Sequence, residues 1–116
     1  MNDIETIRAA ARLMRERAET ACPGPWFITA MSGRYGGVVA KPTADFPEDR
    51  GYDGHLIGES LSAAHREYVA SWDPTVTLLV AEWLEDVANG DGVDRHALGI
   101  ARAYLAAIEQ GAGVAA

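Results

Sequence analysis

The sequence lacks several features that define whole classes of protein. Its one cysteine, Cys22, has no partner for an intrachain disulfide, which suits a reducing compartment. No apolar run approaches the roughly 20 residues that span a bilayer, and the acidic segment Met1–Glu5 lacks the basic region of a signal peptide. Basic residues number 10 against 17 acidic ones, and the net charge of −7 disfavours general binding to nucleic acid or anionic membrane. We therefore expect a soluble cytoplasmic protein.

Motifs for catalysis and metal binding are also missing. The histidines His55, His65 and His96 form no HxxxH pair and Cys22 has no CxxC partner, so no zinc site is predicted. There is no GxSxG nucleophile elbow, and nothing in the pattern places a pair of carboxylates in a dry pocket that raises a pKa. The segment 89–94 lacks the ordered ligands of a calcium loop. We expect no cofactor, no metal and no enzymatic activity.

What the chain does contain is enough apolar sequence for one domain. Its 116 residues are 48% hydrophobic and 23% charged, close to the globular average. The predicted single domain, 1–116, comprises a helix over 1–22, a β meander over 26–58, a helical part over 60–110 and a frayed tail over 111–116. Strands and helices are segregated along the chain, which predicts an α+β fold. In this fold an N-terminal helix is followed by a three-stranded antiparallel meander and three C-terminal helices packed on the sheet.

Apolar residues recur at helical spacing in the predicted helices. Asn2 or Asp3 can cap the first helix, and Glu5 lies three residues after Asn2, as in a capping box. This helix, from Asp3 to Ala21, carries Arg8, Arg12 and Arg15 on a face separate from its apolar stripe. The other helices are expected over 61–72, 73–88 and 94–110. The apolar stripe of the second helix comprises Leu61, Ala64, Tyr68, Val69 and Trp72. The residues that the third helix should bury are Val76, Leu79, Val80, Trp83, Leu84 and Val87.

Three shorter segments have the character of β-strands. They run from Trp26 to Met31, from Val38 to Ala40 and from His55 to Gly58, and turn-forming residues separate them. Short or irregular connections between successive strands favour an antiparallel meander. We expect helices on one face of this sheet, with the other face either open or covered by a second copy of the chain.

Two proline corners join the predicted elements. The first ends the N-terminal helix, because proline cannot continue a helix and glycine permits a sharp turn. At the second corner an aspartate caps the third helix and a proline occupies its first turn. We expect the tryptophans at these corners to pin one element to the next. The corner residues are Pro23, Gly24, Pro25 and Trp26, and Trp72, Asp73 and Pro74.

The two corner segments, Arg17–Trp26 and Ala64–Val76, resemble the Ead-like accessory proteins of tailed bacteriophages and prophages. In that family a helix ends in Ala-Thr-Pro-Gly-Pro-Trp, and a later helix precedes a second proline corner; here Cys22 replaces the usual Thr. The resemblance implies a phage or prophage origin and a host-directed role inside a bacterial cell. It implies no activity, and residues 27–62 lie outside it.

Acidic residues are concentrated in the third quarter of the chain. Residues 72–94 contain six carboxylates and no Lys or Arg. The simpler interpretation is a solvated face that keeps the protein soluble. Our leading hypothesis is an interaction protein that binds and modulates a host or phage macromolecule without catalysis. Its contact surface is either the acidic third helix or an open sheet face; the residues are Glu82, Glu85 and Asp86 for the helix, and Tyr35 and Tyr52 for the sheet face.

The glycine-containing turn at 32–37 supports an alternative function. Its free amides, together with Arg34, Tyr35 and the nearby His55, suit a phosphate or nucleotide-like ligand. The turn does not lead from a strand into a helix, so neither the P-loop nor the dinucleotide fingerprint applies. A hairpin turn without a ligand is the simpler interpretation, and a small-molecule binding module is the alternative function.

Two further possibilities concern assembly. Small-residue stripes on the first and last helices are compatible with close packing in a homodimer. An enzyme whose active site forms across such a dimer is the third and weakest functional hypothesis. Light scattering distinguishes the assemblies, and a nucleotide panel in a melting assay tests ligand capture.

Overall fold

The structure, a computed structural model, describes residues 1–29, 36–90 and 94–115. Its elements are α1 (Asp3–Thr20), β1 (Trp26–Ile28), β2 (Gly36–Ala40), β3 (His55–Leu61), α2 (Ala63–Ser71), α3 (Pro74–Asn89) and α4 (Arg95–Ala115). An N-terminal helix, a three-stranded antiparallel sheet and three further helices confirm the predicted α+β class, with helical packing on the sheet. None of the helices within the described residues is long and apolar enough to cross a bilayer.

The chain forms two compact units. The first unit combines Met1–Glu16 with Leu78–Ala116, and the second unit is Arg17–Thr77. One boundary falls inside α1 and the other inside α3, so each unit contains part of both helices. The assignment of residues 1–116 to a single domain stays a prediction.

The core of the first unit is built largely from alanine. At the start of α1, Asn2 Oδ1 accepts the backbone N–H of Glu5 (2.8 Å) and Glu5 Oε2 accepts that of Asn2 (3.2 Å), which forms the predicted capping box. Ile7 and Leu84 are fully buried in the core. Small neighbours let the helix backbones approach closely around these two large side chains. The remaining buried members are Ala10, Ala11, Met14, Ala81, Ala88, Ala97 and Ala101.

The buried face of α3 agrees with the predicted one only in part, because Leu84 is buried and Val80 and Val87 pack against the core as expected. Ala81, Leu84 and Ala88 are buried, whereas Leu79 is 64% exposed and Trp83 is 39% exposed. The predicted and the observed sets of buried residues both follow helical spacing. The observed set, which faces the core, contains the two small residues Ala81 and Ala88. Trp83 was expected in the core, and that prediction is wrong because close helix packing excludes an indole ring from this face.

The sheet of the second unit has the order β1-β2-β3, and both strand pairs are antiparallel. Trp26 pairs with Ala40 at one end of the β1–β2 ladder, and an irregularity near Val38 shifts the β2–β3 register. The consecutive residues Val38, Val39 and Ala40 are fully buried. Because successive side chains of a strand point to opposite faces, both faces of β2 are covered here. The face that was expected to be open, or covered by a second copy of the chain, is therefore covered within this chain at this part of β2.

Several element ends differ from the predictions. β3 continues to Leu61 instead of ending at Gly58, and α4 continues to Ala115 through the segment that was expected to be a frayed tail. β1 ends at Ile28, and the rest of the predicted first strand at residues 30 and 31 lies outside the described residues. Such shifts are typical, because helix and strand ends depend on tertiary contacts as well as on local sequence.

Candidate binding surfaces

The two proline corners meet at one buried carboxylate. Asp73 is 5% exposed, and its Oδ2 accepts the backbone N–H of Trp26 at 3.0 Å. Its Oδ1 accepts the backbone N–H of Val76 at 3.1 Å, which caps α3 as predicted. A Cβ atom on Gly24 would lie 2.5 Å from Thr75 Oγ1. The first corner packs closely against the second because residue 24 is a glycine without a side chain. These contacts give the two corners a structural role.

Cys22 lies at the first corner as a buried thiol. Its side chain is 3% exposed, and its backbone carbonyl accepts the indole N–H of Trp26 at 2.9 Å. Burial raises the pKa of the Cys22 thiol, which disfavours the reactive thiolate form. Cys22 therefore packs as a small apolar side chain.

The second helix presents an aromatic pair to solvent. Tyr68 is 68% exposed and Trp72 is 53% exposed, with ring centroids 6.5 Å apart. Both residues were expected on the apolar stripe of this helix, and Trp72 was expected to pin a corner. The helix instead buries Arg66, which is 6% exposed. The backbone N–H of Trp72 contributes to the corner by bonding to the carbonyl of Val69 at 3.2 Å.

The buried guanidinium of Arg66 is unusual. Its Nε and Nη1 atoms have no hydrogen-bond partner among the residues that the structure describes. The helix that carries it packs on all three strands of the sheet. Burying charge without a partner costs free energy, because the hydration of the ion is lost and nothing replaces it. The sequence pattern gave no sign of this, since charged residues usually face solvent.

The acidic residues of α3 divide into two kinds. Glu85 accepts a hydrogen bond from Arg15 Nε at 2.7 Å, and this bond lowers the pKa of the Glu85 carboxyl. Glu82 and Asp86 are exposed and have no hydrogen-bond or ion-pair partner among the described residues. Glu85 was predicted to bind a partner, but its carboxylate is already engaged within the first unit.

Leu79, Glu82, Trp83 and Asp86 form what we call the outer α3 stripe. The four residues follow i, i+3, i+4, i+7 spacing, which places them side by side on one helix face. The stripe therefore presents two exposed apolar side chains bordered by two exposed carboxylates. The sequence showed the acidic residues of this surface, but its apolar residues were assigned to the core.

The predicted ligand site around His55 is only partly described. His55 Nδ1 lies 2.8 Å from the carbonyl oxygen of Pro47 and 3.3 Å from Asp49 Oδ2, and its ring meets that of Phe46 edge to face. These contacts fix the loop that precedes β3. Arg34 and Tyr35 lie outside the described residues, so the ligand site of Arg34, Tyr35 and His55 stays a prediction.

Tyr52 lies in the same loop and is held by a carboxylate. Its hydroxyl donates a hydrogen bond to Glu59 Oε2 at 2.6 Å, and this bond raises the pKa of the Tyr52 phenol. Tyr52, which was predicted to contact a partner, is therefore engaged with β3.

Among the described residues, no group of three or more His, Cys, Asp or Glu side chains is placed to hold a metal ion.

No protein-family model, curated protein or solved structure matches this chain. The resemblance to the Ead-like phage proteins accordingly stays a prediction from the two corner motifs. The contact between those corners explains them as fold determinants, with no function required.

A groove of about 270 Å³ lies in the first unit and is lined mainly by charged side chains. Its lining consists of Arg8, Arg12, Arg15, Glu85 and Asn89, and we call it the arginine groove. The sequence showed that the three arginines share a helix face. It did not show that Glu85 and Asn89 of α3 complete a concave surface with them, because that requires the packing of two helices.

Proposed function

We propose that this protein is a small phage or prophage accessory protein that binds and modulates a host or phage macromolecule in the bacterial cytoplasm without catalysis. The phage origin and the cytoplasmic site of action rest on the resemblance of the two corner motifs. The binding role rests on the outer α3 stripe. The single observation that carries it is the exposure of Leu79 and Trp83, 64% and 39%, which lie one turn apart beside two exposed carboxylates.

The composition of the stripe suits a protein partner. Tryptophan is enriched among the residues that dominate binding energy at interfaces, and an exposed leucine beside it adds apolar area to bury. Removing this area from water contributes about 25 cal/mol per Å² before the costs of association. A side chain kept only for solubility has no need of an indole ring, so the stripe is better explained by contact than by solvation.

The partner should be basic and amphipathic. Glu82 and Asp86 border the apolar pair, and exposed charges at the rim of an interface steer partners of opposite charge. A second copy bound about a twofold axis through this stripe would bring its carboxylates near those of the first copy. The small-residue stripes that suggested a homodimer contain Ala11 and Ala101, which are fully buried in the first unit. A helix or surface patch with Lys or Arg beside apolar residues fits the stripe better.

The experiment is affinity capture from a bacterial host lysate, followed by titration of the purified partner. We expect Trp83→Ala and Leu79→Ala each to weaken binding by about tenfold or more, as for a residue at the centre of an interface. Ile100→Ala is the matched control, because Ile100 has the same 39% exposure as Trp83 on a different helix. Glu82→Gln with Asp86→Asn should slow association and reduce its dependence on salt.

The variants distinguish binding through the outer α3 stripe from binding elsewhere on the protein. A partner that loses affinity with the two stripe variants and keeps it with Ile100→Ala supports the proposal. A captured partner that binds the Leu79→Ala/Trp83→Ala double variant as tightly as the unchanged protein contradicts it. Circular dichroism checks that the variants are folded, which we expect because both side chains are exposed.

A further inference from the structure

The arginine groove concentrates positive charge in an acidic protein. Three of its five lining residues are arginines and one is a glutamate, which gives the lining a net charge of +2 against −7 for the whole chain. Arg8, Arg12 and Arg15 are spaced by four and three residues along α1, so neighbouring guanidinium groups repel one another. Charge of one sign in a concave surface attracts ligands of the opposite sign.

Two of the three guanidinium groups are anchored by α3. Arg8 Nη2 lies 3.3 Å from the carbonyl oxygen of Ala88 and 3.3 Å from Asn89 Oδ1, at the C-terminal end of that helix. Arg15 Nε donates to Glu85 Oε1 at 2.7 Å. Anchoring at the two ends of the groove reduces the side-chain entropy lost when a ligand binds.

Arg12 lies between the anchored pair along α1. It is exposed and has no hydrogen-bond or ion-pair partner among the residues described. Its guanidinium carries five N–H donors in a planar arrangement that matches the oxygens of a phosphate group. An exposed arginine flanked by two anchored ones is the arrangement expected of an anion site before its ligand arrives.

We propose that the arginine groove binds the phosphate or diphosphate group of a small molecule. Phosphate is favoured over a single carboxylate because it offers more oxygens to three guanidinium groups. A volume of about 270 Å³ suits a small phosphorylated compound, and the acidic charge of the rest of the chain disfavours a nucleic-acid polymer. The groove includes none of the residues of the predicted turn at 32–37 or of the outer α3 stripe.

The test is calorimetric titration of the purified protein with inorganic pyrophosphate at constant ionic strength. We expect saturable binding with one site and a dissociation constant in the millimolar range or tighter. Arg12→Gln should weaken binding by about tenfold, the loss expected for a charge-assisted hydrogen bond. Arg95→Gln is the matched control, because it removes the same charge from an exposed arginine at the start of α4.

Each outcome bears on the proposal. Binding that is lost in Arg12→Gln and kept in Arg95→Gln supports a site in the groove. Equal weakening in both variants indicates general electrostatic attraction and overturns it, as does the absence of saturable binding. A parallel titration with an acetate salt should show much weaker binding if phosphate is the preferred group. Leu79→Ala should bind pyrophosphate normally, so failure here and failure of the protein-binding proposal remain distinguishable.

Discussion

The backbone N–H of Trp26 donates a hydrogen bond of 3.0 Å to the buried carboxylate of Asp73, across 47 positions of the chain. The same carboxylate caps α3 through Val76. One side chain therefore fixes both the strand that follows the first corner and the helix that follows the second. The conformation of each corner depends on the other, although the two corners are distant in sequence.

Replacing Asp73 should destabilise the fold strongly. Asp73→Ala removes the cap of α3 and leaves the part-buried Trp26 N–H without its acceptor, so we expect a loss of about 2–4 kcal/mol in the free energy of unfolding. Asp73→Asn keeps one acceptor oxygen and should lose less. Urea denaturation measures both, with Asp45→Ala as the control at an exposed loop position. A loss equal to that of the control would show that the carboxylate does not join the corners.

Two glycine substitutions should have opposite effects. Gly24→Ala places a methyl group 2.5 Å from Thr75 Oγ1 and 2.9 Å from the Asp73 carboxylate, which should cost about 1–3 kcal/mol. Gly99→Ala in α4 meets nothing within 4 Å and should stabilise the helix by about 1 kcal/mol. Thermal and urea unfolding of both variants test this. An unchanged free energy of unfolding in Gly24→Ala would contradict the close contact between the two corners.

The Arg15–Glu85 pair should make stability depend on pH at the acid end. The hydrogen bond from Arg15 lowers the folded-state pKa of Glu85 below its usual 4.5, so the pair stabilises the fold above that value. The stabilisation is lost as pH falls through the folded pKa. The stability difference between the unchanged protein and Glu85→Gln should thus shrink below pH 4.5. The exposed Glu82→Gln is the control, and a constant Glu85→Gln difference across acid pH contradicts the pairing.

Replacing the buried Arg66 should stabilise the second unit. Arg66→Met keeps most of the side-chain volume and removes the buried Nε and Nη1 groups that lack partners among the described residues. We expect a gain of about 1–3 kcal/mol in the free energy of unfolding. Arg50→Met at an exposed position should change stability by less than about 0.5 kcal/mol. A clear loss in Arg66→Met would mean that the guanidinium has a partner in solution.

Local sequence was sufficient to predict features that depend on near neighbours. The capping box of Asn2 and Glu5 and the cap at Asp73 were expected, because each joins residues three apart. The face shared by Arg8, Arg12 and Arg15 also follows directly from helical spacing. The order of the elements and the antiparallel meander followed from the segregation of helical and strand patterns.

Features that depend on packing were not predictable in the same way. Periodicity identified an apolar α3, but it could not show that the core side carries Ala81 and leaves Trp83 exposed. The burial of Arg66 contradicts the usual preference of charged residues for solvent. The arginine groove is formed by the packing of α1 against α3, and this contact cannot be predicted from the spacing of residues in a single sequence.

The outer α3 stripe is tested most directly by photo-crosslinking in bacterial host cells. A p-benzoylphenylalanine at position 79 should form an adduct with one specific protein, and the same group at position 100 should not. The adduct should disappear when Trp83→Ala is added, since Trp83 lies one turn from position 79. Identical adducts from positions 79 and 100, or an adduct at 79 that persists undiminished with Trp83→Ala, would contradict the account.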